Sequence, residues 1–173
     1  MKRKFGLGLF IGRFQPFHNG HLYALNFANS CCKRIVIGVG STQESGTERN
    51  PLSAKERIKI IKSGLRNTKM GLTKTRFISI PDFSDDEKWF NYILVVVPDV
   101  DVVFSRNRIV MRIFKKHNIA VISPPWHMRE KLAATKIRAM IKKGGNWRSR
   151  VPRGAVNEIA AQEENIKHAK TNK

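Results

Sequence analysis

Residues 5–21 read FGLGLFIGRFQPFHNGH, and the change of pattern inside this stretch decides the fold. Phe5 to Gly12 is a continuous apolar run punctuated by glycine. It lacks the alternation of a strand that faces water on one side, so it reads as a strand buried on both faces. The turn that follows is stiffened by Pro16. From about Gly20 to Cys31 the spacing is helical. Strand, turn and helix in that order open an α/β unit.

Working outward, Arg34 to Val39 is a second apolar strand that ends in Gly40-Ser41. Asn50-Pro51-Leu52-Ser53 opens a helix that runs to about Leu65, with Ser53 as cap and Glu56 three residues later to close a capping box. Thr75 to Ile80 is a third strand, followed by a helix over about Asp86 to Leu94. The run Asp99 to Ser105 supplies a fourth strand, Val110 to Lys116 a helix, and Ile119 to Ile122 a fifth strand. Pro124-Pro125 breaks the chain before a helix at about Thr135 to Lys142. Pro152 precedes a last helix to about Lys167, and the polar tail beyond it is expected to fray. The expectation is a single doubly wound, Rossmann-like α/β domain with a parallel sheet of about five strands.

Composition agrees with one globular unit. The chain has 173 residues, of which 41% are hydrophobic, enough for a core and too many for a disordered chain. No run approaches the roughly 18 apolar residues of a membrane span. Lys2, Arg3 and Lys4 ahead of an apolar stretch mimic a secretory signal, but Arg13 and Gln15 interrupt it and no small-residue cleavage site follows. A cytoplasmic protein is expected. Cys31 and Cys32 are adjacent, which strains a mutual disulfide, and they lack the spacing of a zinc site. They read as small hydrophobes at a helix end. The net charge of +20 implies anionic company: nucleic acid, nucleotides or an acidic partner. The basic residues are spread without a block of five, so a solvated basic surface explains most of them and a few bind phosphates.

In doubly wound folds ligands bind outside the carboxyl ends of the strands. The residues to inspect are therefore Gly12–His21, Gly40–Arg49, Pro81–Trp89, Ser105–Arg108 and Ser123–Arg129. The usual phosphate loops are missing: there is no GxxxxGK[ST], and Gly6 and Gly8 lack the third glycine of the dinucleotide fingerprint. There is no GxSxG either. What remains is His18-Asn19-Gly20-His21 at a helix start. Its histidines are three apart and share a face, beside free N–H groups that suit phosphate. Gly20 lets a backbone approach a ligand. Spacing alone leaves three readings open: phosphate binding, a metal pair for which no third ligand is evident, and a buried structural role.

The HxGH after a first strand resembles the signature of the nucleotidylyltransferase superfamily. The longer form GRFQPFHNGH is similar to the archaeal-type nicotinamide-nucleotide adenylyltransferases. The likeness continues through Gly40-Ser41-Thr42-Gln43, Arg49-Asn50-Pro51-Leu52 with Glu56-Arg57, Ile80-Pro81-Asp82 with Trp89, Pro124-Pro125, Thr135-Lys136-Ile137-Arg138 and Gly145-Asn146-Trp147-Arg148. It makes residues 1–150 a nucleotidylyltransferase domain, with 151–173 a C-terminal helix and tail of the same domain. It implies adenylyl transfer from ATP to nicotinamide mononucleotide (NMN), forming NAD and pyrophosphate, with Mg²⁺ accompanying ATP. His18, His21 and Arg138 would be catalytic. Gly12, Arg13, Phe14, His18, Gly20, His21, Thr135 and Arg138 would bind ATP. Arg49, Asp82, Trp89 and Asn107 would serve the acceptor, Asn107 on its side or on that of adenosine. On the residues alone Trp89 reads equally as core, Asp82 as a turn cap and Arg138 as a solvated helix arginine.

Two departures stand out. Ala133-Ala134 occupy the place of the family's usual small hydroxyl or glycine residues, which leaves backbone N–H groups to serve a phosphate there. Arg106 and Arg108 flank Asn107 where a less basic loop is usual. Both keep other acceptors open, such as flavin mononucleotide (FMN) or phosphopantetheine. A catalytically lapsed nucleic-acid-binding protein is a further alternative, motivated by the charge. The resemblance also implies a homo-oligomer.

Overall fold

The computed structural model describes residues 3–66, 68, 70, 72 and 75–170, with the backbone alone at 129. Lys2 and residues 171–173 of the tail lie outside the described residues. Five parallel strands form one sheet in the order β3-β2-β1-β4-β5. They are β1 (Phe5–Gly12), β2 (Cys32–Gly40), β3 (Thr75–Ile80), β4 (Val102–Phe104) and β5 (Ala120–Ile122). β1 is central because both of its faces are apolar. Phe10 faces the core under α1 (Asn19–Cys31), α2 (Ala54–Leu65) and α6 (Ala134–Lys142). Leu9 faces the second core, under α3 (Asp86–Val96) and α4 (Arg108–Lys116). On β2, Ile35, Ile37 and Val39 point one way and Val36 the other. Each such side chain, fully buried, contributes roughly 1.5–3 kcal/mol. The sheet order reverses between β1 and β4, which places a switch point beside the end of β1.

Several boundaries differ from expectation for physical reasons. β4 begins only at Val102, because the Asp101 carboxylate accepts from the N–H groups of Gly6 at 2.9 Å and Leu7 at 2.7 Å. Asp101 N also donates to Leu7 O at 3.0 Å, so this residue fastens the start of β1 by side chain and main chain together. A four-residue helix, α5 (Arg129–Leu132), follows Met128 in a left-handed conformation (φ 44°) and carries no periodicity that would reveal it. A 3₁₀ turn at Arg148–Arg150 precedes Pro152, and the expected last helix beyond it is broken into a 3₁₀ turn at Arg153–Ala155, then α7 (Val156–Ala160) and α8 (Glu163–Lys167). Gly154 lies so close to α2 that a Cβ there would come within 2.3 Å of the Ser63 carbonyl oxygen. The break lets Ile159 and Ile166 both reach the core.

The tail is not frayed as far as Lys170. Lys170 O accepts from Glu48 N at 2.7 Å, and Lys170 N donates to Gly46 O at 2.9 Å. The C-terminal segment thus straps the loop after β2. Cys32 is buried with its thiol pushed up to about 12 by burial, and Cys31 is half-buried. Both are free, and the raised Cys32 thiol is not poised to react.

Candidate active site

The carboxyl ends of all five strands open on one cleft of about 620 Å³. Gly12 and Arg13 follow β1, Gly40 and Ser41 follow β2, Asp82 and Phe83 follow β3, Ser105 to Asn107 follow β4, and Pro124 follows β5. Phe14 (φ 53°) turns the chain back, and its ring packs beneath Gly12, where a Cβ would meet that ring at 2.8 Å. Phe14 is 1% exposed, so its backbone rather than its ring is what a ligand can meet.

α1 begins with a capping box made of two imidazoles. His18 Nδ1 accepts from His21 N, and His21 Nδ1 accepts from His18 N, each at 3.3 Å. The rings stack with centroids 3.7 Å apart. Phe17 stacks on His21 at 5.9 Å and Phe14 meets its edge at 5.0 Å. A neutral imidazole that accepts at Nδ1 carries its proton on Nε2. The cap therefore fixes the tautomer and leaves both Nε2–H groups as donors. Burial, then the nearby Arg106 cation, lowers His18 to about 4. Burial also holds His21 well below its ordinary value, followed by His18 and Arg106. Both rings are neutral at neutral pH. Gly20 gives the stack room, because a Cβ there would approach the His18 ring to 3.0 Å.

Arg138, on α6, donates to the carbonyl oxygen of Gln15 at 2.8 Å, which seats it against the histidine turn. Burial, then Arg13, lowers its pKa. Ala133 caps α6 with an extended backbone but no side-chain hydrogen bond. Thr135 is exposed in that first turn. Arg13 is lowered by burial and then by Arg49, so the two cations share the cleft wall with His21. Asp82 is fixed by Gln43, whose oxygen accepts from Asp82 N at 3.0 Å. Trp89 lines the same wall and meets Phe114 edge-on at 6.0 Å. Asn107 spends its side-chain oxygen as the cap of α4, accepting from Ile109 N at 2.9 Å. Arg106 is tied to the carbonyls of Pro124 (2.8 Å) and Pro125 and lies over Trp126 at 3.8 Å.

Seven of the expected residues thus line one cleft: Gly12, Arg13, His21, Arg49, Asp82, Trp89 and Asn107. His18, Gly20 and Arg138 adjoin it through the histidine turn. Thr135 lies outside the lining and Phe14 is withdrawn into the core. Sequence reasoning missed the roles of Gln15 and Arg57. The Gln15 amide exchanges two bonds with the backbone of Leu52, at 2.9 and 3.0 Å, and nothing in the sequence signals it. Arg57 did leave a signal: it falls on the buried face of α2 with Ile60, Ile61 and Gly64. Among the described residues no three His, Cys, Asp or Glu side chains converge as metal ligands. No helix there is long and apolar enough to cross a membrane.

The doubly wound sheet thus gathers paired neutral imidazoles and arginines about its switch point, and the comparisons give the class, a nucleotidyltransferase. Residues 9–142 match the cytidylyltransferase-like family. The nicotinamide-nucleotide adenylyltransferase of Saccharolobus solfataricus is 40% identical over 84% of this chain and 85% of its own. That of Ignicoccus hospitalis is 40% identical over 87% and 88%, and that of Thermococcus kodakarensis 37% identical over 88% and 81%. Among solved structures, a bifunctional NMN adenylyltransferase/ADP ribose pyrophosphatase of Francisella tularensis, complexed with AMP and manganese, superposes with a TM-score of 0.81 at 22% identity. It covers 94% of this chain, which spans about half (52%) of that one, and the likeness is one of fold. The chain belongs to the cytidylyltransferase-like family and, within it, to the nicotinamide-nucleotide adenylyltransferases.

Proposed function

We propose that the chain transfers the adenylyl group of ATP to NMN, giving NAD and pyrophosphate. The observation that carries the site assignment is the reciprocal histidine cap, which presents two fixed Nε2–H donors at the sheet's switch point. A phosphate oxygen of NMN attacks the α-phosphorus of ATP and forms the new P–O bond. The bond from the α-phosphorus to its bridging oxygen breaks, and pyrophosphate leaves with that electron pair. The attacking phosphate is already an anion near neutral pH, so the protein's work is positioning and charge stabilisation.

In this reading His18 and His21 donate to the ATP phosphates, with His21 at the α-phosphate. Arg138, Thr135 and the open N–H groups of α6 take the departing pyrophosphate. Arg13 and Arg49 neutralise phosphates of ATP and acceptor. Gly12, Gly20 and the backbone of Phe14 supply close approach. Trp89 stacks near the nicotinamide ring, and Asp82 meets the acceptor ribose or amide. The Asn107 amide nitrogen remains for the acceptor or adenosine side. The accompanying ion would be carried largely by ATP's own oxygens and water. Mg²⁺ so bound would supply neutralisation of the charge growing on pyrophosphate. The proposed setting is the cytoplasm and the proposed form a homo-oligomer, which light scattering would test.

The discriminating experiment offers ATP and Mg²⁺ with NMN, nicotinic acid mononucleotide, FMN or phosphopantetheine in parallel. NAD and pyrophosphate in equal amounts are expected with NMN, and chelation of the metal should stop turnover. Turnover confined to FMN or phosphopantetheine would reject the acceptor. Binding of RNA without any pyrophosphate release would support the lapsed-enzyme alternative.

A further inference from the structure

Arg57 is fully buried, yet no carboxylate lies within ion-pair distance of it among the described residues. Its guanidinium donates only to backbone carbonyls. One terminal nitrogen reaches Arg13 O at 3.0 Å and Gly40 O at 2.6 Å. The other reaches Ser41 O at 3.1 Å, and Nε reaches Ser53 O at 3.2 Å. Three of these carbonyls belong to the residues with which β1 and β2 end or turn, at the mouth of the cleft.

We infer that Arg57 is a positioning residue for the nucleotide: it draws three carbonyl dipoles away from the phosphate site and puts a fixed positive charge behind them. The inference rests on the proposed function for the identity of the anion. The contrast with Gln15 is instructive. Gln15 joins two loops through a buried neutral amide, which suffices for a strut. A buried cation is a costly way to do the same job, because it must be desolvated. The cost is offset when an anion arrives in front of the carbonyls it restrains. The rigid fork matters too, since lysine cannot address carbonyls of two strands in one plane. Burial lowers the Arg57 pKa to about 10, so it stays cationic at neutral pH.

The test compares Arg57→Lys, Arg57→Gln and Arg57→Met. ATP affinity is measured by calorimetry, and kcat and KM are referred to the folded fraction found by near-UV circular dichroism. ATP should bind roughly tenfold to a hundredfold more weakly to the Gln and Met variants, with the Lys variant between them and wild type. A fourth variant, Arg57→Ala, leaves room for a free cation, and millimolar guanidinium should restore part of its ATP affinity. If folded Lys and Met variants bind ATP within about twofold of wild type, the residue is a strut alone and the inference fails. Should wild type bind ATP without making NAD, the proposed acceptor falls while the affinity test of Arg57 still stands.

Discussion

α1 begins in the histidine turn and α6 reaches that turn through Arg138, yet the two helix starts are finished in opposite ways. At α1 the protein supplies its own acceptors: His18 and His21 each bond the other's backbone N–H. At α6 the cap is Ala133, which makes no side-chain hydrogen bond to the first turn. The first end is closed by its own side chains, and both Nε2–H groups remain as donors. The second keeps its free N–H groups and its share of the helix dipole for an anion. In the proposed mechanism, placing the donors and receiving the leaving group are separate tasks, and they fall to separate helices.

Removing the closed end should have the largest effect. His18→Ala takes away one donor and half of the cap, so kcat should fall about 10²- to 10³-fold in a steady-state assay of pyrophosphate release. Stability should drop by about 0.5–2 kcal/mol on denaturant titration. A fall in stability without a fall in turnover would make the histidine a cap and nothing more.

Acid should act on the same end. His18 titrates at about 4 in the fold against an ordinary value of 6.5, and His21 is lowered as well. The unfolded chain therefore binds more protons in that interval. The stability is fully present above about pH 6.5 and is lost as pH falls toward 4, on the order of 3 kcal/mol from His18 alone. Urea unfolding across that interval should show the loss. His18→Asn, which keeps a capping oxygen and cannot titrate there, should remove His18's share of the loss and leave that of His21.

A smaller change sharpens the geometric claim. Gly20→Ala places a methyl about 3.0 Å from the His18 ring and must shift it by a few tenths of an ångström. A roughly tenfold loss of kcat is expected, with KM for NMN little changed. The smallest effect belongs to the open end. Ala133 already has an extended N-cap backbone, so Ala133→Ser should stabilise the free protein by about 1 kcal/mol in thermal or denaturant unfolding. No stabilisation would mean that this helix end is satisfied in some other way.

The sequence made the fold legible where burial writes itself into a run of residues. Phe5–Gly12 and Thr75–Ile80 are strands over the expected spans, and the Ser53–Glu56 capping box is formed as its spacing predicts. Elements shaped by distant contacts were not legible. The short β4 depends on the Asp101 carboxylate meeting the start of β1, and the divided C-terminal helix on Gly154 fitting against α2. The site divides in the same way. The helical spacing of His18 and His21 put both rings on one face, but not their mutual capping through Nδ1. Arg57 was visible as an arginine on an apolar face, but its partners are carbonyls at the ends of two other elements. Arg106 was visible only as excess charge, and the structure ties it to Pro124, Pro125 and Trp126.

The central claim is adenylyl transfer at the histidine turn. Its most direct test is a single-turnover mixture of the protein with ATP, Mg²⁺ and NMN, with NAD and pyrophosphate counted together. Wild type should form them one to one, while a folded His18→Ala variant should form them at a rate lower by two orders of magnitude or more, about the cost of one lost transition-state donor. NAD formation by the variant at the wild-type rate would contradict the account.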